Sequence, residues 1–267
     1  MPPLKKSMPS GIANAPSKRT RDALKVGKAK QTDEAGRESV GAATTRQDKR
    51  RQETRFKLMR AALQLMSAKG LDGVAIQDIT NAADVGFGSF YNYFPSKEAI
   101  FQNLKEELIE HYAAALDKLG EQVADPAEKI AASARYTMRH GRADPVWGKF
   151  VLATNFNRDS LHAGLGRYLL RDVMTGIEAK RFVCHDLASL VVAVGSTILG
   201  GLMAEVTVSE HADDPFGSPD DLPEKISATL LVTLGLPWAE AWTIASRPLP
   251  VVDLPANPLS VGMRPDS

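Results

Sequence analysis

A single cysteine, Cys184, allows no internal disulfide and no multi-cysteine zinc site, which fits a reducing, cytoplasmic setting and a small apolar role for that side chain. Net charge is nearly absent too: +1 over 267 residues, so the total does not point to nucleic acid. Before Phe56 there is no apolar run of about 7–15 residues to serve as a signal-peptide core, and secretion is not expected. Strand signals are scarce. The five histidines (His111, His140, His162, His185 and His211) show no metal-ligand spacing. Gly86-Phe-Gly88 and Gly164-Leu-Gly166 do not complete a dinucleotide fingerprint, and no Ser/His/Asp or paired-carboxylate grouping stands out. The chain is therefore expected to be no enzyme, with neither cofactor nor metal.

What is present is an uneven distribution of charge. Residues 1–55 carry 14 Lys and Arg against 6 Asp and Glu, a surplus of +8 that leaves −7 for the remainder. Residues 1–48 are rich in Pro, Gly, Ser and Ala, without apolar periodicity, and read as a disordered basic tail. Such a tail attracts DNA phosphates nonspecifically or is simply solvated; both readings stand at this point.

From Thr54 the pattern turns helical, with Phe56, Met59, Leu63 and Met66 on one face and Gly70 as a stop. Further helices are expected at about 76–83, 87–93, 96–119, 126–140, 145–156, 166–179, 186–210, 223–234 and 238–246, punctuated by Asp125-Pro126, Asp144-Pro145 and the prolines from Pro215 onward. The fold class is all-α. Leu187 to Ala204 is 18 residues without a charge, but its flanks are Asp186 and Glu205, and it holds Gly195, Ser196, Gly200 and Gly201. It reads as a buried helix open to close approach by a partner helix, with no membrane involved.

The stretch from Ile76 to Ile100 carries the functional reading. Two short helices joined by a turn of three or four residues match a helix-turn-helix, whose second helix enters the major groove. Ile79, Ala83, Val85, Phe90 and Phe94 can form the inner surface, leaving Gln77, Ser89, Tyr91, Asn92 and Tyr93 outward, with hydroxyls and amides suited to phosphate oxygens and base edges. Residues 88–100, Gly-Ser-Phe-Tyr-Asn-Tyr-Phe-Pro-Ser-Lys-Glu-Ala-Ile, resemble the TetR-family pattern Gly-Thr-Leu-Tyr-x-His/Tyr-Phe-x-x-Lys-Glu-x-Leu. The resemblance covers about residues 54–112.

It implies an N-terminal three-helix DNA-binding domain (49–96), a helical ligand-binding and dimerisation domain (97–246) and an irregular C-terminal tail (247–267). Tyr91 and Lys97 would contact the phosphate backbone with Tyr93 beside them, and Gln77, Phe87, Gly88, Ser89 and Asn92 would lie nearest the groove. The partners implied are double-stranded operator DNA, a small-molecule effector and a second copy of the chain, with repression the expected outcome. Met138, Trp147, Phe150, Phe156, Tyr168 and Met174 lie where such a pocket would be, and core packing explains them equally well. Leu199, Leu230 and Leu234 are expected at the dimer interface, on helices 186–210 and 223–234.

The chain departs from the family pattern at Val74, Thr80, Asp84 and Gly86. Asp tolerates a left-handed turn, Gly is an acceptable N-cap, and Val74 offers no hydroxyl cap, leaving Asp72 or water to serve the second helix. Two other classes remain. A helical enzyme or carrier lacks its catalytic grouping, and a DNA-coating protein would leave the acidic C-terminal part unexplained.

Overall fold

A computed structural model describes residues 46–154, 159–207 and 219–259, and among these there is no strand. In order come α1 (Arg46–Lys69), α2 (Ile76–Ala82), α3 (Phe87–Phe90), α4 (Lys97–Lys105), α5 (His111–Asp117), α6 (Pro126–Ala143), α7 (Pro145–Ala153), α8 (Gly164–Glu178), α9 (Leu187–Thr207), α10 (Leu222–Thr233) and α11 (Trp238–Ala245). A π-helical turn, Glu106–Glu110, joins α4 to α5, so the single helix expected over 96–119 is interrupted by a wider turn within its length. The expected tail over 1–48 falls largely outside the described residues; α1 already runs at Arg46.

Local chemistry explains the boundaries. α1 stops where Gly70 takes φ +69, a left-handed value with no side chain to clash. Ser96 caps α4 by accepting a hydrogen bond from the Ala99 amide at 3.2 Å. The two Asp-Pro pairs act alike: Asp125 accepts from the Ala127 amide and Asp144 from the Trp147 amide, while Pro126 and Pro145 take the first helical positions.

The helices bury two apolar clusters. The first joins Leu58, Leu63 and Met66 of α1, Ile79 of α2, Phe90 of α3 and Ile100 and Leu104 of α4 to Trp147, Phe150 and Val151 of α7 and Leu202 and Val206 of α9. It therefore crosses the boundary expected at 96/97, because α1 lies against α7. Each such side chain contributes roughly 1.5–3 kcal/mol by leaving water, so this shared core couples the N-terminal helices firmly to the rest. The second cluster collects Ile130 and Met138 of α6, Val173 of α8, Val191 and Val194 of α9, Leu230 and Leu231 of α10 with Leu234 just after it, and Ile244 of α11.

α9 packs close where its residues are small. A methyl at Gly201 would lie 2.4 Å from Met138 Sδ, and one at Gly141 of α6 would lie 2.2 Å from a Leu202 methyl. Gly200 and Ser196 instead face outward, and only 28% of the apolar window of α9 is buried within one chain. Among the described residues α9 is the helix long and apolar enough to cross a membrane. Its one acidic residue, Glu205, is buried against the Arg142 guanidinium. Cys184 is half-buried rather than buried.

After α11 the described residues to Leu259 are irregular but packed. Leu249, Val252 and Leu254 lie against the first cluster, Leu259 is buried in it, and Asn257 donates to Asp144 Oδ2 at 2.9 Å. Residues 260–267 lie outside the described residues.

Candidate nucleic-acid interface and inner cavity

α2 and α3 are too short to hold themselves and depend on anchors. Ile79, Phe90 and Phe94 are buried, Ala83 nearly so and Val85 half-buried, which is the inner surface expected from spacing. Phe90 meets Tyr91 edge-on at 5.5 Å and Phe94 at 5.9 Å. The turn between the helices places Asp84 at φ +55 and uses Gly86 as the N-cap of α3. Both departures from the family pattern thus fall where their residue types can serve. Val74, by contrast, is no cap: it is buried, and Asp78 reaches back to the Ala75 amide at 3.0 Å, so neither Asp72 nor a hydroxyl is needed.

Anchoring one face leaves the other outward. Phe87, Gly88, Tyr91 and Asn92 are exposed, with the Phe87 and Tyr91 rings edge to face at 5.8 Å, and Ser89 is half-buried. Gln77 is exposed on α2, its amide donating to Asn81 Oδ1 at 2.8 Å. Tyr93 is half-buried and packs on the first cluster. Lys97 is also half-buried; its ammonium donates to the Leu71 carbonyl at 2.8 Å, which ties the start of α4 to the turn after α1. An ammonium has three donors, and this bond occupies one of them. Next to it, hydrogen bonds from its own backbone amide and from Ser96 hold the Glu98 carboxyl below its ordinary range.

The first turns of α1 add Arg46, Lys49, Arg50 and Arg51, all exposed. Arg55 fixes where this basic segment leaves the core, donating to Asn103 Oδ1 at 2.6 Å with its guanidinium 5.3 Å from the centre of the Phe94 ring.

Behind the bundle lies a cavity of about 890 Å³. Its wall runs from Gly70 and Leu71 past Phe101 and Ile109 to Thr137, Tyr168, Ile198 and Leu199, so α1, α4, α6, α8 and α9 all contribute. Lys129, Ser133 and Thr137, spaced by four along α6, share this wall, as such spacing requires. The Lys129 ammonium bridges Asp117 at 3.2 Å and Asp172 at 3.1 Å, and Arg171 binds both carboxylates as well. The Arg171 guanidinium, reinforced by Lys129, holds the Asp117 carboxyl below the usual range against the opposing effect of burial.

Of the residues expected to line a pocket, Tyr168 does so. Met138, Trp147 and Phe150 are core side chains, with the Trp147 indole donating to the Leu108 carbonyl at 3.0 Å. Met174 is exposed on α8 away from the cavity, and Phe156 lies outside the described residues. The dimer assignment also needs correction. Leu230 and Leu234 are fully buried within one chain, because α10 turns its leucines toward α6 and α11, and Leu199 is half-buried on the cavity wall. The apolar residues left exposed near them are Val192 and Met203 of α9 and Val232 of α10. Sequence reasoning missed Lys129 and Asp172. The available signal was Asp172 sitting in the apolar stripe of α8, between Leu169 and Gly176.

Comparisons with known proteins agree with this architecture. Residues 58–104 match the family model described as bacterial regulatory proteins, tetR family, and residues 125–247 match the tetracyclin repressor-like C-terminal domain. The crystal structure of RolR in complex with the ligand resorcinol is 34% identical, covers 77% of this chain and 99% of that one, and superposes with a TM-score of 0.56. The chain belongs to the TetR family.

Two curated relatives of this TetR-family chain match over short segments. The uncharacterized HTH-type transcriptional regulator YvdT of Bacillus subtilis (strain 168) is 42% identical over 55 residues, 21% of this chain and 28% of that protein. The HTH-type transcriptional repressor DhaR of Mycobacterium sp. (strain GP1) is 46% identical over 50 residues, 19% of this chain and 25% of that protein. The chain thus spans about a quarter of the length of each. A TetR-family member is a helix-turn-helix transcription regulator.

Proposed function

We propose that this TetR-family regulator is a cytoplasmic homodimeric repressor, with no membrane attachment and no enzymatic activity, that binds a near-palindromic operator and is released by a small-molecule effector. The observation that carries this reading is the outward side of α3 and the turn after it, where Phe87, Gly88, Tyr91 and Asn92 are exposed and Ser89 half-buried, anchored by buried Phe90 and Phe94. Tyr91, Lys97 and the basic start of α1 supply phosphate contacts; Ser89, Asn92 and Gln77 supply groups able to read base edges. The DNA-binding part is residues 49–96 and the effector and dimer part residues 97–246.

Dimerisation uses the outward face of α9 and α10, where Val192, Ser196, Gly200, Met203 and Val232 form the exposed surface. Two recognition helices related by a twofold axis must lie about 34–36 Å apart to enter successive major grooves. The cavity wall includes Leu71, whose carbonyl holds Lys97, and Phe101 of α4. A ligand there bears on α4, which follows the recognition helix, and it shifts the dimer only by binding one spacing better than the other. The resorcinol complex of RolR supports a small organic effector.

The test is a gel shift with the gene's own upstream DNA against random DNA at physiological salt. A sequence-specific shift that shortens to a half-site footprint with a monomeric variant supports the reading. An indiscriminate shift, or none, refutes it.

A further inference from the structure

We propose that the cavity selects uncharged, largely apolar molecules that carry a hydroxyl group, docked between Lys129 and Asp172, over carboxylates and amines. This rests on the reading that the cavity holds the effector. Two carboxylates (Asp117 and Asp172) and two cations (Lys129 and Arg171) make up the charged cluster, so it is already balanced without a ligand. An anionic head group would add a third negative charge beside Asp172, and a cationic one a third positive charge beside Lys129. Neither has a surplus of the opposite sign to meet.

The hydrogen bonds define what is left over. Lys129 uses two of its three donors, on Asp117 Oδ1 and Asp172 Oδ1. Arg171 also directs its bonds to Asp172 Oδ1, leaving Asp172 Oδ2 without a donor among the described residues. Asp117, Lys129 and Asp172 line the cavity, whereas Arg171 does not. The cluster therefore offers one N–H donor and one carboxylate acceptor side by side. A hydroxyl both donates and accepts, so a single one satisfies the pair; an ether or ketone would leave the carboxylate unmet.

Around this polar spot the wall is largely apolar, with Ile109, Leu116, Ile130 and Ile198 beside the hydroxyls of Ser133 and Thr137. A volume of about 890 Å³ exceeds what a single ring fills, so the hydroxyl is the head of a larger apolar body.

The test uses purified full-length protein and three probes that share a ring and a six-carbon chain: 4-hexylresorcinol, 4-hexylbenzoate and 4-hexylbenzylamine. Calorimetric titration is expected to show the diol binding at least about tenfold more tightly than the other two, the ratio that one charge-assisted hydrogen bond supports. Asp172→Asn should weaken the diol by about tenfold or more while its melting curve shows a folded protein. Should that variant not fold, Lys129→Gln and the probe ranking on the unmodified protein decide. Equal or tighter binding of the acid or the amine, no saturable binding of the diol, or a folded Asp172→Asn protein with unchanged affinity overturns the proposal.

A parallel gel shift separates the two readings. A specific operator complex released by 4-hexylbenzoate and not by the diol keeps the repressor and refutes this ligand class. Selective diol binding with no specific operator complex does the reverse.

Discussion

Truncating Leu230 should damage the fold of each chain and leave the dimer contact alone, whereas charging Val192 should do the opposite. Leu230 is fully buried in the second cluster, beside Ala228, Leu231 and Leu234. Leu→Ala at such a site costs about 2–5 kcal/mol, through lost transfer energy and the cavity left behind. Set against a total stability of about 5–15 kcal/mol, that is anywhere from about an eighth to all of what holds the chain folded. Val192 is 49% exposed on α9, so Val192→Glu should change the stability of an isolated chain by no more than about 0.5 kcal/mol. Across the proposed twofold axis, however, it would set two carboxylates into an apolar contact.

The assays are urea unfolding followed by circular dichroism, and sedimentation velocity. Leu230→Ala should lower the urea midpoint at unchanged slope and sediment as the wild-type dimer. Val192→Glu should sediment as a folded monomer, with apparent stability no longer dependent on protein concentration. A Leu230→Ala protein that keeps its midpoint and dissociates would show that Leu230 faces the partner. A dimeric Val192→Glu protein would remove this face of α9 from the interface.

Lys97→Ala should weaken binding to all DNA sequences alike and flatten the salt dependence by about one unit of slope, while also costing about 1 kcal/mol of stability from the lost bond to the Leu71 carbonyl; an unchanged slope in filter binding would take Lys97 out of the interface. At Asp84, held at φ +55, Asp84→Gly should leave the melting temperature unchanged or higher and Asp84→Val should destabilise by about 1–2 kcal/mol, so equal melting curves would contradict the strained turn. Acid should destabilise the C-terminal bundle. Arg171 holds Asp117 below the ordinary carboxylate range, and Arg181 with the Ala127 amide outweighs the upward effect of burial to hold Asp125 below it too. A depressed folded pKa gives stability that is present above the unfolded value near 3.9 and lost as pH falls through the folded one. Unfolding midpoints measured from pH 6 to pH 2 should therefore fall below about pH 4, less steeply in an Asp117→Asn variant, and identical profiles would refute the assignment.

The inner surface and the turn of the helix-turn-helix were legible in the sequence. Its signals are short-range: alternation of Ile79, Ala83, Phe90 and Phe94 with polar positions, Pro95 and Ser96 at a helix start, and Asp84 and Gly86 in the turn. Helix limits at Asp125-Pro126 and Asp144-Pro145 were equally local, because proline and an Asp cap act on the adjacent turn. Which face an apolar helix turns inward was not legible. Leu230 and Leu234 read as an interface stripe, and only the packing of α10 against α6 and α11 makes them core, leaving Val192, Met203 and Val232 outside. The same holds for the cavity. Met138, Trp147 and Phe150 have the apolar character of pocket residues but fill space, while Lys129, Asp117 and Asp172, up to 55 positions apart in the chain, meet only when α6 and α8 close around the end of α5. Periodicity reports that a side chain avoids water. It is the other helices that decide whether it does so against its own chain, a ligand or a second copy.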